Sequence, residues 1–189
     1  MSSLSPFRFG NIGRQTILGS ALSDSIKKRR VFYSFHYVPD CWRASQIRSI
    51  GALEGNSPVS DNDWEEVKRG GDDAIKRWID NQLEGKSCTI VLIGTNTAGR
   101  KWIDYEINKS WQEKKGIVGI HIHNLKSASG IQSPKGINPF SSFTFNNGPF
   151  SNIVRTYDPA GYTSTDVYKN IQLNLASWVD EAINIRNKY

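Results

Sequence analysis

Short, nearly continuous apolar runs recur along the chain and are separated by amphipathic segments. The clearest runs are Val31-Phe32-Tyr33-Ser34-Phe35, residues 88–93 and residues 117–122. Continuous apolar runs of this length are typical of parallel strands that are covered on both faces. Weaker strand signals lie at Pro58-Val59-Ser60 and at residues 153–157. The pattern therefore predicts a sheet of short parallel strands.

Helical spacing fills the segments between these runs. Apolar residues recur every three or four positions in three segments, which predicts three helices. The first starts at Asp72 or Asp73, the second covers residues 100–113, and the third starts at Thr163, Ser164 or Thr165. A further helix is predicted over residues 41–50, after the turn signal Pro39-Asp40. Alternating strands and helices predict an α/β fold with helices on both faces of a parallel sheet. In such folds ligands bind beyond the carboxyl ends of the strands, so the loops after Phe35, Ser60 and Ile93 are expected to meet at one edge.

The predicted organisation is one domain with a leading extension. A chain of 189 residues is of single-domain size. Residues 1–29 are rich in Ser and Gly and carry only a weak apolar pattern, so they are predicted to form an N-terminal extension to a domain over residues 30–189. Residues 124–152 are predicted to be rich in loops because prolines and glycines interrupt them.

Charge and composition exclude several function classes. The formal net charge is +6, but the densest basic cluster, Lys27-Lys28-Arg29-Arg30, directly precedes a strand, and the other positive charges lie among acids. A nucleic-acid partner is therefore not expected, whereas a modest positive field suits a small molecule that carries phosphate. No apolar run reaches the ~20 residues of a membrane span, and the start lacks a secretory signal, so we expect a cytoplasmic protein without a membrane partner.

The cysteines and histidines do not predict a metal site. Cys88 lies in an apolar run, which predicts a buried, reduced thiol, and Cys41 has polar and aromatic neighbours that allow exposure. His121 and His123 alternate on one strand and share a face, but no third ligand follows in sequence. Two structural histidines and no metal are therefore expected.

The strongest candidate for chemistry is a Trp and a Glu on one predicted helix. Trp102 and Glu106 are four residues apart, hence one turn apart on one face, and their helix follows the clearest strand. An apolar wall beside a carboxyl group raises its pKa or strengthens its interactions. On spacing alone, a solvated Glu above a core Trp is the more common arrangement.

The same motifs resemble those of a known family. Val31-Phe32-Tyr33-Ser34-Phe35 is similar to the first strand of TIR domains, and Trp102 to Glu106 matches the Trp-x-x-x-Glu motif of TIR enzymes that consume NAD. The order and spacing of the motifs resemble the bacterial TIR-like group that includes the TIR protein of the Thoeris antiphage system. The matching segments are Ser34-Phe35-His36-Tyr37, Val91-Leu92-Ile93-Gly94, Gly119-Ile120-His121-Ile122-His123-Asn124 and Asn138-Pro139-Phe140. This resemblance implies a flavodoxin-like, TIR-like domain.

The resemblance also implies a reaction. Enzymes of this group break the bond between nicotinamide and ribose in NAD, and Thoeris TIR proteins make a cyclic ADP-ribose isomer that activates a separate effector. The implied activity is an NAD glycohydrolase or ADP-ribosyl cyclase in antiviral defence, with NAD as substrate and no cofactor. Glu106 matches the catalytic carboxylate, while Phe35, His36, Tyr37 and Trp102 are expected to bind substrate. The loop from Asp61 to Trp64 is expected to help cover the site, and self-association is expected to complete it.

Two other functions fit the same sequence pattern. A TIR domain that only scaffolds other proteins would have the same fold but no need of a carboxyl group beside Trp102. A flavodoxin-like or receiver-like nucleotide-binding domain would share the architecture as well. Receivers need clustered acids at strand ends, and Phe35-His36-Tyr37 supplies none. The NAD-cleaving enzyme is therefore the favoured hypothesis.

Overall fold

A computed structural model of the protein describes residues 28–56 and 66–189. The predicted strand at Pro58-Val59-Ser60, the loop from Asp61 to Trp64 and residues 1–27 of the predicted extension lie outside the described residues. The strands are β1 (Val31–Ser34), β2 (Cys88–Ile93), β3 (Gly116–His121), β4 (Thr144–Phe145), β5 (Gly148–Pro149) and β6 (Arg155–Tyr157). The helices are α1 (Tyr37–Arg48), α2 (Gly71–Leu83), α3 (Lys101–Gln112) and α4 (Ser164–Arg186).

The main sheet is parallel, as predicted. Within the described part of the chain its order is β1-β2-β3-β6, with Val31 beside Cys88 and Cys88 beside Gly116. All residues of β2 and β3 are buried, which explains why both strands are continuous apolar runs in the sequence. The predicted α/β, flavodoxin-like fold is confirmed.

Helices cover both faces of the sheet. Ala44 of α1 and Leu175 of α4 share a core with Ile90 of β2, whereas the next residue, Val91, faces the other way and packs with Ile107 of α3. Successive strand residues point to opposite faces, so β2 contributes to both cores. Each fully buried aliphatic side chain of this kind stabilises the fold by about 1.5–3 kcal/mol.

The ends of the helices differ slightly from prediction. Helix α1 begins at Tyr37, four residues before the predicted start, so Pro39 lies in its first turn. A first turn accepts proline because its N–H groups have no partner within the helix. Helix α4 begins after Thr163, whose side chain accepts a hydrogen bond from the Asp166 backbone N–H, while the Asp166 carboxylate accepts one from the Thr163 backbone N–H. This capping box fixes the predicted start.

The region 124–152 contains more regular structure than prolines and glycines alone predict. Two short 3-10 helices, Pro139–Ser142 and Phe150–Asn152, flank a hairpin of β4 and β5. Asn146 and Asn147 both have positive φ, the conformation of a two-residue hairpin turn. Phe140 and Phe150 are buried against the α3 face of the sheet.

Two segments meet closely at the carboxyl end of β2. A Cβ atom on Gly136 would lie 1.9 Å from the Gly94 carbonyl oxygen, and one on Gly94 would lie 2.1 Å from Asp40 Oδ2. The hydroxyl group of Thr95 also donates to the Pro134 carbonyl at 2.6 Å. The segment at 134–136 is therefore packed directly on the edge of the sheet where ligands are expected.

Candidate functional site

A pocket of about 660 Å³ opens beside the carboxyl end of β1. Its walls come from β1 and the residues after it, from α1, and from α2 and α3. The lining includes Phe32, Tyr33, Phe35, His36, Tyr37, Val38, Cys41, Arg48, Asn56, Trp78, Arg100, Lys101, Trp102 and Glu106. Its volume is within the ~300–1,000 Å³ of small-molecule sites, and its walls are mainly apolar with few polar groups, as such sites are.

Glu106 lies in the pocket wall as a buried carboxyl group. Its side chain lies on the inner face of α3, and the residue is only 9% exposed. Ser34, the last residue of β1, donates its hydroxyl hydrogen bond to Glu106 Oε2 at 2.5 Å. No Lys, Arg or His forms an ion pair with Glu106 within residues 28–56 and 66–189. The carboxyl group is therefore held by one neutral donor.

Burial decides the protonation of this group. Loss of solvation raises the pKa of Glu106 from 4.5 to about 8, and the Ser34 hydrogen bond lowers it by a smaller amount. A buried carboxyl group without a cation beside it favours the neutral form. Glu106 is therefore mostly protonated at neutral pH.

Hydrogen bonds one turn further along the same face of α3 fix the backbone at Glu106. The Ser110 hydroxyl donates to the Glu106 carbonyl at 2.6 Å and lies 2.7 Å from the Thr89 hydroxyl on β2. Both hydroxyl groups are fully buried. The central strand thus holds the turn of α3 that carries the carboxyl group.

Trp102 lies one turn before Glu106 and also lines the pocket, as the four-residue spacing predicts. It is partly exposed rather than a core residue, and it packs at the margin of a cluster that contains Phe32, Ile75 and Ile79. The Lys101 ammonium group lies 4.6 Å from the centre of its ring and pairs with Asp72 of α2. The apolar wall beside the carboxyl group is present, and its Trp102 ring is partly exposed to solvent.

Phe35, His36 and Tyr37 line the same pocket. The rings of Phe35 and Tyr37 are stacked, with centroids 6.2 Å apart and planes at 28°. His36, which lies between them in the sequence, is partly buried. Burial lowers the pKa of its imidazole, and the nearby Arg100 charge lowers it further. The structure therefore brings all five candidate residues, including Trp102 and Glu106, to one pocket.

Sequence reasoning missed several residues that line this pocket or support Glu106 in it. Ser34 was part of the strand motif, but its contact with Glu106 joins residues 72 positions apart and has no local signal. Trp78 lies on α2 at helical spacing with other apolar residues, and it lines the pocket. Arg48 is the last residue of α1, and Asn56 lies beyond the helix; both line the pocket. Arg48 shares the three- and four-residue spacing of α1 with Tyr37 and Cys41, whereas Asn56 lies outside the helix and has no such signal.

The remaining candidates lie elsewhere or carry no site. His121 and His123 are buried near the carboxyl end of β3 with ring centroids 5.8 Å apart, and no group of metal-ligating side chains occurs among the described residues. Cys88 is buried, where loss of solvation raises the pKa of its thiol, and Cys41 is exposed. None of the described helices has the length and apolar character needed to cross a membrane.

The parallel sheet, its two helix layers and the pocket at the end of β1 define a TIR-like α/β domain. Residues 32–127, just over half of the chain, match the family model described as Thoeris protein ThsB, TIR-like domain. The chain therefore belongs to this family, and the resemblance seen in the motifs is confirmed.

The name of one curated relative describes an activity. It is a protein of Bacillus cereus (strain MSX-D12) named "Putative cyclic ADP-D-ribose synthase ThsB1". It is 40% identical to this chain over 118 residues, which make up 59% of this chain and 61% of the relative. This chain thus spans about three-fifths of the length of the relative it matches.

Proposed function

We propose that the protein cleaves the bond between nicotinamide and ribose in NAD and joins the remaining ADP-ribose into a cyclic isomer. Glu106 is the catalytic carboxylate in this proposal, and Phe35, His36, Tyr37 and Trp102 bind the substrate. The cyclic product would act as an antiviral signal to a separate effector protein. The observation that carries the proposal is the buried Glu106 carboxyl group in the wall of an apolar pocket, where Ser34 donates a hydrogen bond to it. The Bacillus cereus relative is named as a cyclic ADP-D-ribose synthase, which supports the same reaction.

The charge of NAD explains why one carboxyl group suffices. The nicotinamide ring of NAD is cationic, so breaking its bond to C1′ of the ribose returns the electron pair to the ring and needs no proton donor. Positive charge then develops on the ribose, and a nearby carboxylate stabilises it. The cationic ring would also oppose the cost of ionising Glu106, so substrate binding favours the charged form. Ser34 keeps the carboxyl group oriented in both states.

Cyclisation and hydrolysis share this first step and differ in the nucleophile. Water attacks C1′ in hydrolysis, whereas a nucleophilic atom of the same molecule attacks it in cyclisation. An intramolecular attack competes well when the substrate is held folded and water is kept out. The apolar rings of Phe35, Tyr37 and Trp102 are the groups of the pocket suited to both tasks.

A scaffold function without catalysis is the alternative. It requires the same fold and uses the surface of the domain rather than the pocket. A scaffold gains nothing from an unpaired carboxyl group inside the protein, since ionising such a group costs stability. The burial of Glu106 therefore favours the enzyme.

Incubating the purified protein with NAD tests the proposal. Chromatography and mass spectrometry detect the nicotinamide and the cyclic ADP-ribose isomers that are formed. The matched variants are Glu106→Gln and Glu84→Gln, the second at an exposed position after α2. Wild type and Glu84→Gln should release nicotinamide, and Glu106→Gln should be slower by about three orders of magnitude because the stabilising charge is lost. Folding is checked by circular dichroism. Equal turnover in folded Glu106→Gln would disprove the role of Glu106, and a wild type without turnover at any protein concentration would favour the scaffold.

A further inference from the structure

One face of α1 forms a continuous wall of the pocket. Tyr37, Cys41, Ala44, Ser45 and Arg48 all line it, and they recur every three or four residues. From Tyr37 to Arg48 the helix rises about 16 Å, at 1.5 Å per residue. The pocket is therefore long enough along α1 to hold more than a nicotinamide ring and one ribose.

Arg48 places a cation at the far end of this wall. Its guanidinium group is partly buried, donates to the Asn56 carbonyl, and lies 5.8 Å from the centre of the Tyr33 ring. Burial lowers its pKa, which shows that the charge is incompletely solvated. No carboxylate pairs with it in the part of the chain that the structure describes. Among the described residues its guanidinium group makes one hydrogen bond, to Asn56, although it carries five N–H donors.

The other cations of the pocket are engaged or more exposed. Lys101 pairs with Asp72 and lies over the Trp102 ring, and Arg100 is an exposed residue that donates to the Asn96 carbonyl. An ion pair in contact with water is weak because solvent screens it. Arg48 is therefore the pocket cation best placed to gain from an anion.

The neighbours of Arg48 add neutral polar groups. Asn56 lines the pocket, is 7% exposed, and uses its side-chain oxygen to accept from the Tyr33 backbone N–H at 3.0 Å, so that bond does not use its amide N–H donors. A planar guanidinium group beside amide donors matches the oxygens of a phosphate group. The chemistry of this end is that of a phosphate site.

We propose that Arg48 binds the diphosphate of the dinucleotide and makes the pocket selective for phosphorylated adenosine ligands over the bare nucleoside. This inference rests on the proposed function, since it assigns the second half of the same substrate. The reaction takes place at Glu106, while Arg48 contributes binding energy that is equal in the ground state and the transition state. Loss of Arg48 should therefore raise KM and leave kcat nearly unchanged.

Calorimetric binding of ADP and adenosine tests this role without any turnover. Wild type should bind ADP more tightly than adenosine. Arg48→Gln should weaken ADP binding by about 10- to 100-fold, as expected for a charge-assisted hydrogen-bond pair, and leave adenosine binding unchanged. Arg48→Lys should recover part of the ADP affinity because it keeps the charge but loses the planar fork. Arg29→Gln is the matched control, since Arg29 is exposed and pairs with Asp180 outside the pocket.

Three results would overturn the assignment. They are a wild type that prefers adenosine or does not distinguish the two ligands, an Arg48→Gln variant that binds ADP like wild type, and a variant that loses ADP and adenosine equally. The last result would mean that Arg48 only maintains the Tyr33–Asn56 wall. If ADP selectivity depends on Arg48 but NAD is not cleaved, the proposed reaction fails and the phosphate site stands. If NAD is cleaved, Arg48→Gln should also raise its KM by about 10- to 100-fold with kcat within about twofold of wild type.

Discussion

Glu106 and Glu113 lie seven residues apart at α3, yet they meet opposite surroundings. Glu113 lies at the surface and pairs with Lys109 and Lys115. Glu106 is buried and bonded to one hydroxyl group. A charge at the surface is stabilised by water and by partners, whereas the buried group is most stable when neutral. The same residue type therefore meets two different environments in one segment.

This burial has a measurable effect on stability. Because the pKa of Glu106 rises from 4.5 in the unfolded chain to about 8 in the folded protein, the folded state binds more protons between these values. Stability must then fall as pH rises from about 4.5 to about 8, by up to about 5 kcal/mol from this group alone. We expect Glu106→Gln to remove this slope. Urea unfolding of both proteins across this range measures it. Parallel stability curves would show that Glu106 is solvated.

Trp102 provides a second test at the residue scale. Since its ring is partly exposed, Trp102→Ala should cost about 2 kcal/mol, less than the ~3–5 kcal/mol of a fully buried tryptophan. Nicotinamide release should fall as well, because the wall beside Glu106 is lost. Trp42→Ala is the control, since Trp42 is 52% exposed and should change the melting temperature little. Equal melting temperatures for both variants would contradict the packing of Trp102 against α2.

At the scale of elements, the contact between Gly94 and Gly136 fixes the loop after β2. A side chain at Gly136 would meet the Gly94 backbone, and a side chain at Gly94 would meet Asp40, so neither position has room for one. Asp40 in turn pairs with Arg43, whose guanidinium group donates to the carbonyls of Leu125 and Ile131. One turn of α1 thus links the β2 loop to the segment after β3.

A methyl group at this contact tests the link. Gly136→Ala would place its Cβ against the Gly94 carbonyl, so the loop must shift and the variant should lose about 2–3 kcal/mol. Gly148→Ala is the matched control, because its Cβ would meet only the Phe145 carbonyl at 3.8 Å. Chemical denaturation compares the two. Equal losses would show that the 134–136 segment is not held against β2.

Self-association belongs to the scale of the whole molecule. TIR enzymes of the resembling group are expected to complete their site with a second copy, and Val38, which lines the pocket, is 83% exposed. Covering this side would exclude water and favour cyclisation. We therefore expect turnover per molecule to rise with protein concentration or with an activating signal. Light scattering and product formation are measured together from nanomolar to high micromolar protein. Constant turnover by a monomer over that range would rule the prediction out.

The whole fold was more predictable than the site. Apolar runs and helical spacing predicted β2, α3 and the start of α4 to within about two residues, because burial against the sheet gives the sequence a periodic pattern of apolar residues. The start of α1 was predicted too late because proline is a turn signal that also suits a first helical turn. Ser34 and Glu106 meet only through tertiary packing, so neither spacing nor composition could pair them. The role of residues 1–29 as an extension to a single domain stays a prediction.

In the proposed reaction, the neutral state of the buried Glu106 has a consequence for which form of the dinucleotide is recognised. Oxidised NAD carries a positive nicotinamide ring, whereas the dihydronicotinamide ring of the reduced form is uncharged. Only the oxidised form can offset the cost of ionising a buried carboxyl group. A signalling reaction built on such a group would respond to the oxidised pool and ignore the reduced one, so the supply of signal would follow the redox balance of the cell.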